Sequence, residues 1–347
     1  MIVLENEQNW KKILTKDGYI GYVKKNALKN EKLRMLLAIL RNRNTPVSRK
    51  IIPLIWHGNN VTNSTANSVC SRDLQIVRVN DNCATWFHVK DTEGNLESIA
   101  STDYVNYAHQ AGLEVWAAIR DFDGGIGSND ESLQLLSYSS RRENLINQLI
   151  GAVMQVGIDG INVDFEKISK DCGVHYIQFI RELSVKCRQN GIVLSVDNYV
   201  PKGYNQQYNR KEQGVMADYV IIMGYDEHNG SSLEADSVSS YEFVKEGIEE
   251  TIKEVPAEKV ISGIPFFTRL WSETPKTQEE LNQEAGTEAA DYPMKVTSEA
   301  LGMSTARDKI SQAGAETTLD ETTGNNYATW EADGVTYEIW AGGCNLD

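Results

Sequence analysis

From residue 50 onward, short runs of consecutive apolar residues alternate with longer stretches whose apolar positions recur at helical spacing. The apolar runs fall at 51–56, 85–89, 115–119, 160–165, 192–196, 219–223 and 260–266. Several are near-continuous hydrophobics rich in Val and Ile, the pattern of strands covered on both faces. Helical periodicity covers 103–111, 132–156, 174–189 and 240–255. The last of these runs into Val255-Pro256, and a residue before proline is steered away from the helical region. Gly112, Gly157 and Gly191 each precede a strand, where a left-handed glycine is expected to close a helix.

Strands alternating with helices imply a parallel sheet with right-handed crossovers. Seven repeats predict an α/β chain of the (β/α)8 TIM-barrel type, its eighth strand apparently missing from this chain. The barrel is expected over 49–347. After Trp271 the texture becomes polar and rich in Thr, Glu and Ala, and residues 327–340 then alternate around Asp333-Gly334, a hairpin signal. A small α+β insertion after the seventh strand, about 272–340, accounts for both. Residues 1–30 are different again. Lys16-Asp17-Gly18 leads into the short alternating run Tyr19-Ile20-Gly21-Tyr22-Val23, a hairpin arm. Basic residues with a Leu-rich stretch at 33–40 make 31–48 a linker with a short helix.

Composition narrows the function classes. With 41% hydrophobic and 24% charged residues in 347, a large core is available and wholesale disorder is not expected. The net charge of −15 repels phosphate backbones and anionic lipid, which argues against nucleic-acid and membrane partners and suits a neutral substrate such as a glycan. Five cysteines without a CxxC pair and five histidines without HExxH spacing predict neither a disulfide framework nor a metal site. No cofactor is expected, because no GxGxxG follows the first strand. The start carries no basic segment followed by a long apolar run, and no stretch reaches membrane-spanning length. Either there is no cleaved signal or the sequence is a piece of a longer chain.

The chemistry is expected at the C-terminal ends of the strands. The fourth ends in Asp159-Gly160-Ile161-Asn162-Val163-Asp164-Phe165-Glu166. Alternate side chains of a strand share a face at about 6.6 Å spacing. Asn162, Asp164 and Glu166 are therefore expected to point into the barrel mouth, and Ile161, Val163 and Phe165 toward the helices. An ionised Asp164 beside Glu166 is expected to disfavour ionisation of Glu166 and raise its pKa, as a general acid near neutrality requires.

This segment resembles the DGxDxDxE signature of glycoside hydrolase family 18, the chitinase-like barrels, with Asn162 in place of the middle aspartate. The segments Met223-Gly224-Tyr225-Asp226-Glu227-His228, 263–271, Thr85-Trp86-Phe87, Val196-Asp197-Asn198-Tyr199 and 333–340 are similar to the sporulation branch of that family, the spore-cortex peptidoglycan N-acetylglucosaminidases. The resemblance runs from about residue 50 to 340. Tyr19–Val23 is similar to the tail of a bacterial SH3-like domain, which implies cell-wall binding and a spore, cell-wall or extracellular location.

The resemblance implies retaining, substrate-assisted hydrolysis, in which the 2-acetamido carbonyl attacks C1 and gives an oxazolinium ion. Glu166 is then the proton donor and later the base for water. Asp164 orients the acetamide, and Tyr225 hydrogen-bonds its oxygen. Asp159 and Asn162 are expected to hold Asp164. Because Asn162 carries no charge, Asp164 is expected to need a shared proton less than in the common pattern. Asp226, Asn198 and Tyr199 are expected to line the sugar site, with Trp86 as a stacking platform and Arg269 on a sugar hydroxyl or an acid. His228 reads as a rim residue. Three other readings remain: a chitinase, a catalytically weak glycan-binding barrel, and a metal-dependent hydrolase built on Asp164 and Glu166.

Overall fold

The computed structural model describes residues 2–6, 8–27, 54–57, 81–122 and 124–342. The expected linker helix within 31–48, the first residues of the 51–56 run and the tail 343–347 lie outside them. The chain divides into two compact units. One comprises Met1–Asn198, Lys202–Ile221 and Glu254–Ile261; the other Tyr199–Pro201, Ile222–Lys253 and Ser262–Asp347.

The first unit opens with a three-stranded antiparallel sheet, β1 (Ile2–Asn6), β2 (Trp10–Leu14) and β3 (Ile20–Lys24). Gly18 turns the hairpin with φ 99°, a left-handed conformation that costs glycine nothing. A side chain there would also collide with the Val215 carbonyl, 2.7 Å from an added Cβ. The following strands are β4 (Leu54–His57), β5 (Asp81–Val89), the short β6 (Leu96–Ser98), β7 (Glu114–Arg120), β8 (Gly160–Asp164), β9 (Val193–Tyr199), β10 (Tyr219–Met223) and β11 (Val260–Gly263). They form one sheet in the order β11-β10-β9-β8-β7-β5-β4, with β6 antiparallel on β5. The pairs β4–β5, β5–β7, β7–β8 and β8–β9 are parallel.

Helices connect these strands: α1 (Thr102–Gln110), α2 (Asn129–Ser137), α3 (Ser139–Val156), α4 (Gly173–Asn190), α5 (Arg210–Met216) and, in the second unit, α6 (Tyr241–Ile252). Their ends carry the expected chemistry. Ser101, Ser128 and Ser240 accept the backbone N–H three residues on, which satisfies a donor that the first helical turn leaves open. Gly157 and Gly191 close α3 and α4 with φ 85° and 72°. The continuous helix expected over 132–156 is instead two. Tyr138 adopts extended geometry (φ −101°, ψ 125°) and divides α2 from α3.

The sheet interior is tight. Cys83, Trp116 and Ala118 form a buried cluster with Val193 and Tyr219 packed on it, and the Trp116 and Tyr219 rings stack at 5.7 Å. Gly160 makes room for that indole, since an added Cβ would lie 2.6 Å from Trp116 Cδ1. The predicted strand–helix alternation is present. The sheet is not closed into a barrel: among the described residues β4 and β11 are the two ends of an open strand order.

The second unit holds a five-stranded antiparallel sheet of order β13-β12-β16-β15-β14, made of β12 (Phe267–Pro275), β13 (Met294–Gly302), β14 (Thr317–Asp320), β15 (Asn325–Ala332) and β16 (Val335–Ala341). Two further helices follow strands of this sheet, α7 (Gln278–Gln283) and α8 (Met303–Ala313). Leu270, Leu301, Ala306, Ile310, Ala328 and Ile339 make its core. The β15–β16 hairpin turns at Asp333 (φ 52°) and Gly334 (φ 76°), the paired positive angles of a two-residue turn. The strand expected over 260–266 stops at Gly263. Pro265 has no N–H to give a ladder, and the chain re-enters a different sheet at Phe267.

Candidate active site

The acidic end of β8 lies at the C-terminal edge of the parallel sheet. Ile161, Val163 and Phe165 face the helices as their alternation requires; Phe165 stacks on Phe179 of α4 at 5.4 Å. Asn162 and Asp164 occupy the opposite face, and both are buried. Asp164 pairs in register with Arg120 of β7. Its Oδ1 is buried and has no hydrogen-bond partner among the described residues. Burial raises the Asp164 carboxyl well above the ordinary range, the charges of Glu166 and Asp121 add to the rise, and Arg120 opposes it.

Glu166 follows two residues later, and its backbone is held by the residue just after the neighbouring strand β7. Asp121, the residue after β7, is completely buried. Its Oδ1 accepts the Glu166 N–H at 2.7 Å, and its Oδ2 accepts the Lys167 N–H and the Ser132 hydroxyl, both at 3.0 Å. Burial lifts the Asp121 carboxyl to about 6 despite those three donors, with the charge of Glu166 contributing. A buried acid in this position fixes where the Glu166 side chain starts.

Asn162 does not hold Asp164. Its amide nitrogen donates to Asp197 Oδ2 at 2.6 Å, and its oxygen accepts the Ser195 hydroxyl at 2.6 Å. Asp197 on β9 is buried, and burial followed by the Asp164 charge raises its carboxyl far above the ordinary range against the Asn162 hydrogen bond. The expectation that Asp164 needs a shared proton less than in the common pattern is therefore corrected. The charge absent at 162 is present one strand away, at 197. Alternation would have flagged it, because Asp197 shares a face with Ser195 and stands one position from the residue chosen for the sugar site.

Three other sequence-based assignments are corrected. Asp159 sits at the N-terminal end of β8, where Oδ2 accepts the Val115 N–H at 2.8 Å and meets His109 Nε2 at 2.7 Å. It locks strand register at the edge opposite Asp164. Asn198 points to the helix side, since it alternates with Asp197. It exchanges amide hydrogen bonds with Gln213 of α5, donating at 2.6 Å and accepting at 3.1 Å, and is wholly buried. Trp86 is also wholly buried, edge-on to Tyr104 of α1 at 5.4 Å, so no sugar can stack on it.

The strand around Trp86 explains a residue the sequence did not suggest. The β5–β7 register shifts between Thr85 and Phe87, which leaves Trp86 as an extra residue. A bulge of this kind re-aims the side chains beyond it. His88 consequently pairs with Arg120 and is buried, with its Nδ1 unpartnered among the described residues. Simple alternation would have turned it to the helices.

The remaining candidates belong to the second unit. Tyr225 follows β10 and packs edge-on to Phe267 at 6.1 Å. Asp226 adopts φ 58°, a left-handed geometry that aspartate tolerates better than most residues. Desolvation raises its carboxyl, while the charge of Arg269 opposes the rise. Arg269 Nη1 donates to Ser298 at 2.9 Å, and its Nε is buried without a partner among the described residues. Tyr199, the last residue of β9, is half-buried.

The model of the family "Glycosyl hydrolases family 18" matches residues 80–340. An uncharacterised glycosylase of Bacillus subtilis, YvbX, is 29% identical over 196 residues, which is 52% of this chain and 55% of YvbX. The chain thus spans about half the length of that relative. Among solved structures, the putative sporulation-specific glycosylase YdhD of Bacillus subtilis superposes with TM-score 0.64 at 21% identity, over 76% of this chain and 84% of that one. The spore cortex-lytic enzyme SleL of Bacillus megaterium superposes with TM-score 0.68 at 17% identity, over 83% and 64%. These likenesses establish a shared fold.

Proposed function

The chain belongs to the glycosyl hydrolases of family 18, and on that premise we propose that it cleaves β-1,4-linked N-acetylglucosamine glycans with retention of configuration. The substrate's own 2-acetamido carbonyl serves as nucleophile, the substrate-assisted exception to the two-carboxylate scheme. The parallel sheet is read as the larger part of a (β/α)8 barrel.

One observation carries the reading. A buried carboxyl with an open oxygen, Asp164, lies two residues before a half-exposed carboxyl, Glu166, whose backbone is fixed by Asp121. Glu166, reaching solvent, donates a proton to the glycosidic oxygen and later activates water. Asp164 accepts the acetamide N–H and offsets the positive charge that develops on the oxazolinium ion, work that a preorganised group does best in a dry site. Tyr225 is assigned to the acetamide oxygen; Asp226, Tyr199 and Arg269 are assigned to sugar hydroxyls.

Spore-cortex peptidoglycan is the proposed substrate, with a spore or cell-wall location. The support is the run of relatives named as sporulation-specific or cortex-lytic glycosylases. Turnover of purified cortex fragments and of chitin oligomers, assayed side by side, tests the choice. Faster release of N-acetylglucosamine ends from cortex supports it, and faster cleavage of chitin oligomers reassigns the enzyme to chitin.

A further inference from the structure

The register Asn162↔Ser195 and Val163↔Val196 brings Asp197 level with Asp164 on the adjoining strand and on the same face. Neighbouring strands lie about 4.8 Å apart, so the two side chains leave adjacent backbone positions, and their carboxyls interact directly by charge. Both are buried, and Oδ1 of each has no hydrogen-bond partner among the described residues. Asn162 donates to the other oxygen of Asp197 at 2.6 Å, while Ser195 holds the amide oxygen at 2.6 Å and so fixes which way the amide faces.

The groups around the pair leave it short of positive charge. Glu166 and Asp164 from β8, and the Cys83 thiol of β5 and Tyr176 phenol of α4, all interact electrostatically with Asp197. Arg120 of β7 acts on Asp164, where Asp121 and Glu166 work against it. Two buried carboxyls placed together cannot both ionise without a large penalty, so the stable state of the pair contains one proton.

We propose that Asp197 is the positioning residue that shares this proton with Asp164. When Asp164 ionises against the positive charge growing on the substrate, its O–H bond breaks and an O–H bond forms on Asp197. No outside acid or base is needed. The uncharged Asn162 serves as the strut that holds Asp197 in place. This inference rests on the family 18 reading of the site.

The test exchanges the acid and the amide between strands. Asp197→Asn, Asn162→Asp and the double variant Asn162→Asp/Asp197→Asn are compared with the unaltered chain. Circular dichroism confirms that each folds, and cleavage of chitotetraose is followed from pH 4 to 9. Asp197→Asn is expected to lose about 100-fold in kcat with little change in KM, as removal of proton-handling groups does, and to alter the shape of the pH profile. The double variant is expected to regain most of that loss. An Asp197→Asn profile matching the unaltered chain, or a double variant no better than Asp197→Asn, overturns the proposal.

A second measurement needs no turnover. Thermal midpoints over the same pH range are expected to fall less steeply with rising pH in Asp197→Asn than in the unaltered chain. Equal slopes overturn the shared proton. An unaltered chain that cleaves nothing yet shows the slope difference overturns the functional reading and leaves the shared proton supported.

Discussion

The Asp121 carboxylate accepts the backbone N–H of Glu166 at 2.7 Å, so the proposed proton donor is positioned by the acid that directly follows β7. Replacing Asp121 by Ala leaves the N–H groups of Glu166 and Lys167 and the Ser132 hydroxyl without their acceptor. Each buried polar group stranded in this way costs about 1–3 kcal/mol. Asp121→Ala is expected to lower stability by several kcal/mol and kcat by more than KM changes. Urea unfolding and steady-state kinetics on one preparation check both. A variant with normal kcat removes Asp121 from the site.

Three buried carboxyls, Asp121, Asp164 and Asp197, titrate above their ordinary range in the folded chain. Between the unfolded and folded values the native state binds more protons than the unfolded state, so stability falls as pH rises. For Asp121 the window runs from the ordinary value of 3.8 to about 6. The difference is worth roughly 3 kcal/mol at neutrality. Unfolding free energy is expected to be higher near pH 5 than near pH 8. A flat or rising curve over that range contradicts the assigned burial.

Trp86 is buried against Tyr104, and Asn198 against Gln213, so both are expected to act on stability and not on sugar affinity. Trp86→Ala should cost about 3–5 kcal/mol, and Asn198→Ala about 1–3 kcal/mol through the stranded Gln213 amide. Urea melts read those losses. KM for chitotetraose should stay within about threefold, and a tenfold rise for either variant would return that residue to the substrate site.

The strands and helices were legible because their apolar periods differ and their glycines mark helix ends, as Gly157 and Gly191 do. The β8 acids were legible because strand alternation is strict. Alternation failed where the backbone departs from it: the bulge at Trp86 turned His88 inward, and nothing in Thr85-Trp86-Phe87-His88 announces an extra residue. Asp159 was misread because a motif carries no information on which end of a strand each residue occupies in space. Asn198 was chosen over Asp197 although only one of two adjacent strand residues can face the site. Asp121 could not be read at all, since the backbone N–H groups it accepts lie 45 and 46 residues away along the chain.

The most direct test of the account is the turnover of N-acetylglucosamine-linked substrate by Glu166→Gln beside the unaltered chain. The amide keeps the size of the side chain and leaves the Asp121 hydrogen bond to the Glu166 backbone intact, so the fold and substrate binding should persist. Hydrolysis is expected to fall by at least about 1,000-fold, the upper part of the range for a general acid–base group, with the melting temperature unchanged. Hydrolysis within tenfold of the unaltered chain would contradict the assignment of Glu166 as proton donor.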